Sequence, residues 1–142
     1  MSSEIPQLVL SKIVSISEAA SIAIHGIILI ARSSVSLNVQ QIADSTGTSK
    51  HHVAKIMQRL VKEGYLSSQR GPSGGFLLMK PANEITFLNL YESIEGKIEI
   101  SKCPMDKKVC PFDKCIMDNI SNRMMFEFRE YLSKQNLAGY LG

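Results

Sequence analysis

No stretch of this sequence is apolar for long enough to cross a membrane. The longest such run, Ile22–Ala31 (IAIHGIILIA), spans ten residues and contains a histidine, about half of what a spanning helix needs. The first ten residues, MSSEIPQLVL, carry no basic segment ahead of an apolar one, which argues against a secretory leader. There is no long polar low-complexity tract, so a folded chain is expected. Its 142 residues suffice for one domain whose core stands without disulfides or metal. Catalytic signatures are missing as well: no glycine-rich nucleotide loop, nucleophile elbow or HExxH pair occurs, so an enzyme is not expected. Cysteine is absent outside one loop, Ser101–Cys115 (SKCPMDKKVCPFDKC), which holds all three thiols. These features place the chain in the cytoplasm with no membrane partner, where clustered thiols signal metal or redox chemistry.

Acidic residues are nearly missing from a second region. Between Ser49 and Lys80 stand Lys50, Lys55, Arg59, Lys62, Arg70 and Lys80 against Glu63 alone, a local +5. The whole chain carries +3, so the remainder sums to −2. Such a concentration is either a solvated basic face or the electrostatic footprint of a polyanion.

The apolar periodicity gives this region a shape. Ser17 is a candidate N-cap for a long apolar helix ending near Arg32. Asn38 with Gln41 three residues on predicts a capping box, and Gly47 a tight stop for the short helix that follows. Thr48 or Ser49 then caps a helix with apolar residues at Val53, Ile56, Met57, Leu60 and Val61, the spacing of one buried face. Its opposite face carries Lys50, His51, His52, Lys55, Arg59 and Lys62. Two short helices joined by a glycine turn, the second basic on its outer face, predict a helix-turn-helix. Tyr65–Arg70 and Phe76–Met79 read as strands around Gly71-Pro72-Ser73-Gly74-Gly75, a hairpin whose tip offers a cation and accessible backbone to DNA phosphate or the minor groove. Adjacent histidines on a helix point about 100° apart, so His51 and His52 are read as exposed and DNA-facing rather than as a metal site.

Thr86–Glu95 predicts a further helix, and Asp113–Lys134 a long one with Ile116, Ile120, Met124, Phe128 and Leu132 every fourth residue, widened by Met117, Met125 and Tyr131. This stripe is expected on a partner subunit, because a two-fold dimer suits a pseudo-palindromic site; folding back on its own domain is the alternative. The expected architecture is mainly α with a small β-hairpin. It divides into a winged helix-turn-helix DNA-binding domain at 1–96, a cysteine cluster-binding loop at 97–115, and a long C-terminal dimerisation helix with its tail at 116–142.

This order of elements, the wing Arg70-Gly71-Pro72-Ser73-Gly74-Gly75-Phe76 and the preceding run from Leu60 to Gly71 (LVKEGYLSSQRG) resemble the Rrf2 family of bacterial transcription regulators. The resemblance extends from about Ile16 to about Leu132. Its cluster-binding members regulate iron–sulfur cluster assembly, nitric-oxide response and redox response. It implies a homodimer that binds a double-stranded DNA operator through the second helix of the motif and the wing. Carried onto matching positions, the helix contacts are Ser49, Lys50, His51, His52, Lys55 and Arg59, and the wing contacts Arg70, Ser73, Gly74 and Gly75. Lys50, His51 and His52 are placed to reach base edges, and Lys55, Arg59 and Lys62 to meet phosphate.

Three chemistries compete for the loop. Cys103, Cys110 and Cys115 stand six and then four residues apart. A [2Fe–2S] or [4Fe–4S] cluster needs such soft thiolates and normally a fourth ligand. Zinc accepts three thiolates plus nitrogen or carboxylate, but its usual CxxC knuckle is missing. The third option is a metal-free loop, constitutive or controlled by thiol oxidation. Lys102, Lys107, Lys108 and Lys114 favour thiolates and an anionic cluster. The resemblance favours the iron–sulfur reading, a redox or metal sensor, although the first gap is longer and the second shorter than its members show. It also implies two candidates for the missing ligand. Asp118 stands where cluster-assembly regulators carry a histidine, and His25 matches a ligand position of redox-responsive relatives, with Ser21 where a carboxylate precedes it. Taken alone, a histidine inside IAIHGIILIA reads as a hydrogen-bonded core residue.

Overall fold

The computed structural model describes residues 15–100, 103 and 109–142. The N-terminal MSSEIPQLVL, and Lys102, Pro104, Lys107 and Lys108 of the cysteine loop, lie outside the described residues. In chain order the structure runs α1 (Glu18–Arg32), α2 (Val39–Thr46), α3 (Lys50–Lys62), β1 (Leu66–Gln69), β2 (Gly75–Leu78), α4 (Phe87–Glu95) and α5 (Ile120–Lys134). One-turn 3-10 helices occur at Ala82–Glu84 and Leu137–Tyr140.

Local chemistry sets the helix starts. Ser17 Oγ accepts from the Ala20 amide at 3.1 Å and opens α1. Asn38 and Gln41 form a reciprocal capping box on α2. Gly47 ends that helix in the left-handed conformation, φ 66°, and Ser49 caps α3 two residues later. Each cap satisfies amides that the first helical turn leaves without partners, worth about 1 kcal/mol apiece.

The core gathers where α1, α3 and α4 meet. Ile22 and Ile27 of α1, Ile42 of α2, Met57 and Leu60 of α3, and Leu90 of α4 are buried together. Gly26 of α1 faces α3, where the Met57 side chain fills the space beside it; a Cβ there would lie 2.8 Å from Met57 Cε. The strands pair antiparallel from Leu66↔Leu78 to Gln69↔Gly75. An added bridge, Leu37↔Phe76, ties β2 to the segment before α2. This is a winged helix-turn-helix, as expected.

The wing is fastened by backbone contact. Phe76 N–H donates to Leu37 O at 2.7 Å and Leu37 N–H to Phe76 O at 3.3 Å. A Cβ at Gly75 would overlap the Leu37 carbonyl, and one at Gly74 would lie 2.9 Å from Gly71 O. Gly75→Ala is therefore expected to displace the wing and cost about 1–3 kcal/mol. Thermal denaturation should show it, at about 2–4 °C of Tm for each kcal/mol in a chain of this size.

The C-terminal helix departs from expectation at its start. Helicity begins at Ile120 rather than near Asp113, because Asp118 and Asn119 take left-handed backbone angles, φ 50° and 53°. Aspartate and asparagine tolerate that region where most side chains do not. Ile116, the first residue of the expected stripe, is thereby left out of the helix and exposed. The far end does fold back on its own domain. Leu132 and Leu137 are buried, Phe87 N–H donates to Gln135 O at 2.9 Å, and Leu137 N–H to Ile85 O at 3.1 Å. In between, Phe128 is half-buried with its ring 5.3 Å from Tyr91 and nearly perpendicular to it. Burial, with a smaller contribution from Glu95, raises the Tyr91 pKa above its usual value and keeps the phenol protonated. Among the described residues no helix is long and apolar enough to cross a membrane.

Candidate nucleic-acid interface and cysteine loop

Helix α3 turns Val53, Ile56, Met57 and Leu60 inward. Its periodicity consequently turns Lys50, His51, Lys55 and Lys62 to solvent. Ser49 is committed to capping, its Oγ accepting the His52 amide at 3.1 Å. His52 departs from the exposed placement expected of it. It is half-buried, and its Nδ1 lies 2.9 Å from Glu18 Oε1 of α1, in position to donate to that carboxylate. Arg59 is likewise engaged within the protein: its Nε donates to the Ser93 carbonyl at 3.1 Å and its Nη2 reaches Glu63 Oε1 at 3.3 Å.

In the wing, Arg70 and Ser73 are exposed and Gly74 is half-buried, while Gly75 is buried against the backbone of Leu37. The Ser36 hydroxyl donates to Ser73 O at 2.8 Å, which anchors the tip to the α1–α2 connection. A concavity lies between wing and helix, lined among others by Gln40, Lys50, Gln58, Ser68, Gln69 and Gly74. Three of these, Gln40, Gln58 and Gln69, were missed by a sequence reading that followed positive charge. Neutral amides leave no charge signal, yet they suit contacts with base edges and phosphates. Their one visible trace was position on the exposed side of each element.

The thiols differ in surroundings. Cys103 is half-buried, whereas Cys110 and Cys115 are exposed. The turn of left-handed residues after Cys115 folds back on it: Asn119 N–H points at Cys115 Sγ at 3.4 Å, and Asp118 N–H donates to Cys115 O at 3.0 Å. Asp118 and Cys115 line one open concavity with Asp113. The Asp118 carboxylate also receives Arg123 Nη2 at 3.2 Å.

His25 lies elsewhere. It is exposed on the outer face of α1, not in the core, because the helix buries Ile22, Gly26 and Ile30 on its other side. It lines a separate groove with Ser21, Leu29, Arg32 and Thr48. Its Nδ1 is 2.7 Å from Ser21 O. That carbonyl can only accept, so Nδ1 is in position to donate to it, with the Ser21 hydroxyl 3.2 Å from the same nitrogen. Among the described residues no three His, Cys, Asp or Glu side chains converge in metal-binding geometry. The donor set itself, three soft thiols with a carboxylate beside one and an imidazole on α1, fits an iron–sulfur cluster chemically.

Known proteins agree with the fold and its likeness. IscR of Pectobacterium atrosepticum, an HTH-type transcriptional regulator, is 26% identical over 96 residues, covering 68% of this chain and 58% of that protein. The chain thus spans little more than half the length of that relative. NsrR of Bacillus subtilis, another HTH-type transcriptional regulator, is 28% identical over 102 residues, 70% of each chain. Among solved structures, CymR of B. subtilis, described as the global cysteine regulator, superposes with a TM-score of 0.74 at 20% identity. That superposition covers 91% of this chain and 97% of CymR. All three are regulators rather than enzymes. The model of the Rrf2 family, described as an iron-dependent transcriptional regulator, matches residues 16–141. With that match across the winged helix, the cysteine loop and α5, the chain belongs to the Rrf2 family of transcriptional regulators.

Proposed function

We propose that the chain is a homodimeric, cytoplasmic DNA-binding regulator whose affinity for a double-stranded operator depends on an iron–sulfur cluster held by Cys103, Cys110 and Cys115. The observation that carries the DNA reading is the shared concavity between the outward face of α3 and the wing. A helix fits the major groove, about 12 Å wide, while a basic hairpin tip follows the backbone or enters the minor groove. The functional division is then 1–96 for DNA, 97–115 for the cluster and 116–142 for dimerisation. Exposed Ile120, Met124, Met125 and Phe126 on α5 support the last of these, since a partner helix would remove that apolar surface from water.

The cluster, when bound, supplies a redox-active, oxidant-sensitive group whose presence changes the loop. The three thiolates would hold it, with Asp118 the nearer candidate for a fourth ligand because it flanks Cys115. His25, exposed on α1, would serve from the partner subunit. A carboxylate or imidazole in place of thiolate leaves one iron more labile and raises the potential, which suits sensing. A second reading, control by thiol oxidation without a cluster, draws on the exposure of Cys110 and Cys115 and the amide directed at Cys115 Sγ.

Anaerobically purified protein separates the two. The cluster reading expects iron and acid-labile sulfide in comparable amounts with visible charge-transfer absorption. Protein with neither, whose DNA affinity still responds to peroxide, would establish the thiol reading instead.

A further inference from the structure

The cysteine loop leaves the winged helix at the end of α4, and two other elements, α1 and α3, are tied to that end. Ser17 Oγ, the cap of α1, donates to Glu95. Glu92 Oε2 accepts the Ile98 amide at 2.8 Å, closing the turn at Gly96 and fixing buried Ile98 five residues before Cys103. From α3, Arg59 Nε donates to Ser93 O at 3.1 Å. A carbonyl in the last helical turn has no partner further along the helix and lies at the negative end of its dipole. Arg59 therefore caps α4 from the side, while its Nη2 engages Glu63 one turn along α3. A guanidinium presents its donors in a fixed planar fork, whereas a lysine ammonium is a point charge whose donors rotate on a flexible stem.

We infer that Arg59 is the positioning residue through which the cysteine loop sets the recognition helix, not a phosphate contact. The inference rests on the reading above that the loop controls DNA affinity, and it names the route. A change at the loop re-aims the turn at Gly96–Ile98, and with it the Ser93 carbonyl. Arg59 follows that carbonyl, and α3 shifts with Arg59. A second, longer tie runs from Glu95 through the Ser17 cap and the neighbouring Glu18 of α1 to His52 in the first turn of α3.

Hydrogen exchange on the full chain without DNA tests the route, comparing reduced thiols with thiols alkylated by N-ethylmaleimide. Alkylation perturbs the loop whether or not a cluster is ever bound. In the native chain it should alter exchange both at residues 93–98 and along α3. In Arg59→Gln the response at 93–98 should persist while that of α3 falls. Arg59→Lys, which keeps the charge but not the fork, should also weaken the α3 response and serves if the glutamine variant folds poorly. An α3 response in either variant equal to that of the native chain overturns the inference, as does a native chain in which α3 does not respond. Absence of iron in purified protein would sink the cluster reading and leave this relay standing.

Discussion

Removing Lys50 and Arg70 together is expected to lower DNA affinity by about 2 kcal/mol for each residue, roughly thirtyfold apiece. Lys50 lies in the first turn of α3, exposed and lining the concavity shared with the wing. Arg70 directly follows β1 at the exposed tip. Neither contributes to the core, so Lys50→Ala and Arg70→Ala should leave stability within about 0.5 kcal/mol of the native chain. Their contributions should nearly add, because they stand on separate elements. The two residues should also separate by salt. If Arg70 neutralises a phosphate, Arg70→Ala reduces the slope of log affinity against log salt by about 0.9 on every sequence. If Lys50 reads a base edge, Lys50→Ala relaxes preference at one operator position and affects non-specific DNA less. A band-shift or anisotropy titration at several salt concentrations measures both. Unchanged affinity in the double variant would remove α3 and the wing from the interface.

Replacing all three cysteines by alanine is the second large effect. The variant is expected to purify without iron or sulfide, and its DNA affinity should equal that of the cluster-free native chain under all redox conditions. Coupling between two sites of one protein is commonly 1–3 kcal/mol, so about 5–150-fold of regulation should vanish. The winged helix should melt nearly as before, since Cys110 and Cys115 lie outside its core and alanine relieves no packing there. Asp118→Ala and His25→Ala rank the fourth ligand. The true ligand is the one whose loss leaves a cluster that forms but decays faster in air. Regulation that survives in the triple-alanine chain would make the loop idle.

Much of this architecture was legible because its signals are local. Ser17, Asn38 with Gln41, and Ser49 stand within four residues of the amides they cap. The inward face of α3 follows from spacing alone. What escaped the sequence were contacts between distant segments and a backbone irregularity. His52 meets Glu18 across 34 residues and Arg59 meets Ser93 across another 34. No local pattern in the sequence reveals those internal partners, and Arg59 stays exposed beside them. The helical recurrence from Ile116 onward was real in sequence, but two left-handed residues at Asp118 and Asn119 interrupt it. That interruption bears on function, because it turns the Asn119 amide onto Cys115 Sγ. His25 misled for a different reason: its apolar neighbours suggested burial, yet α1 is buried on one side only.

The most direct test of the account is the DNA affinity of one anaerobic preparation before and after its iron is removed by chelation. A DNA fragment selected by the protein itself from a random pool, at fixed salt, serves as ligand. The account predicts visible absorption that disappears on chelation and an affinity that changes at least about fivefold with it. A colourless preparation after anaerobic reconstitution, or equal affinity in the two states, would contradict it.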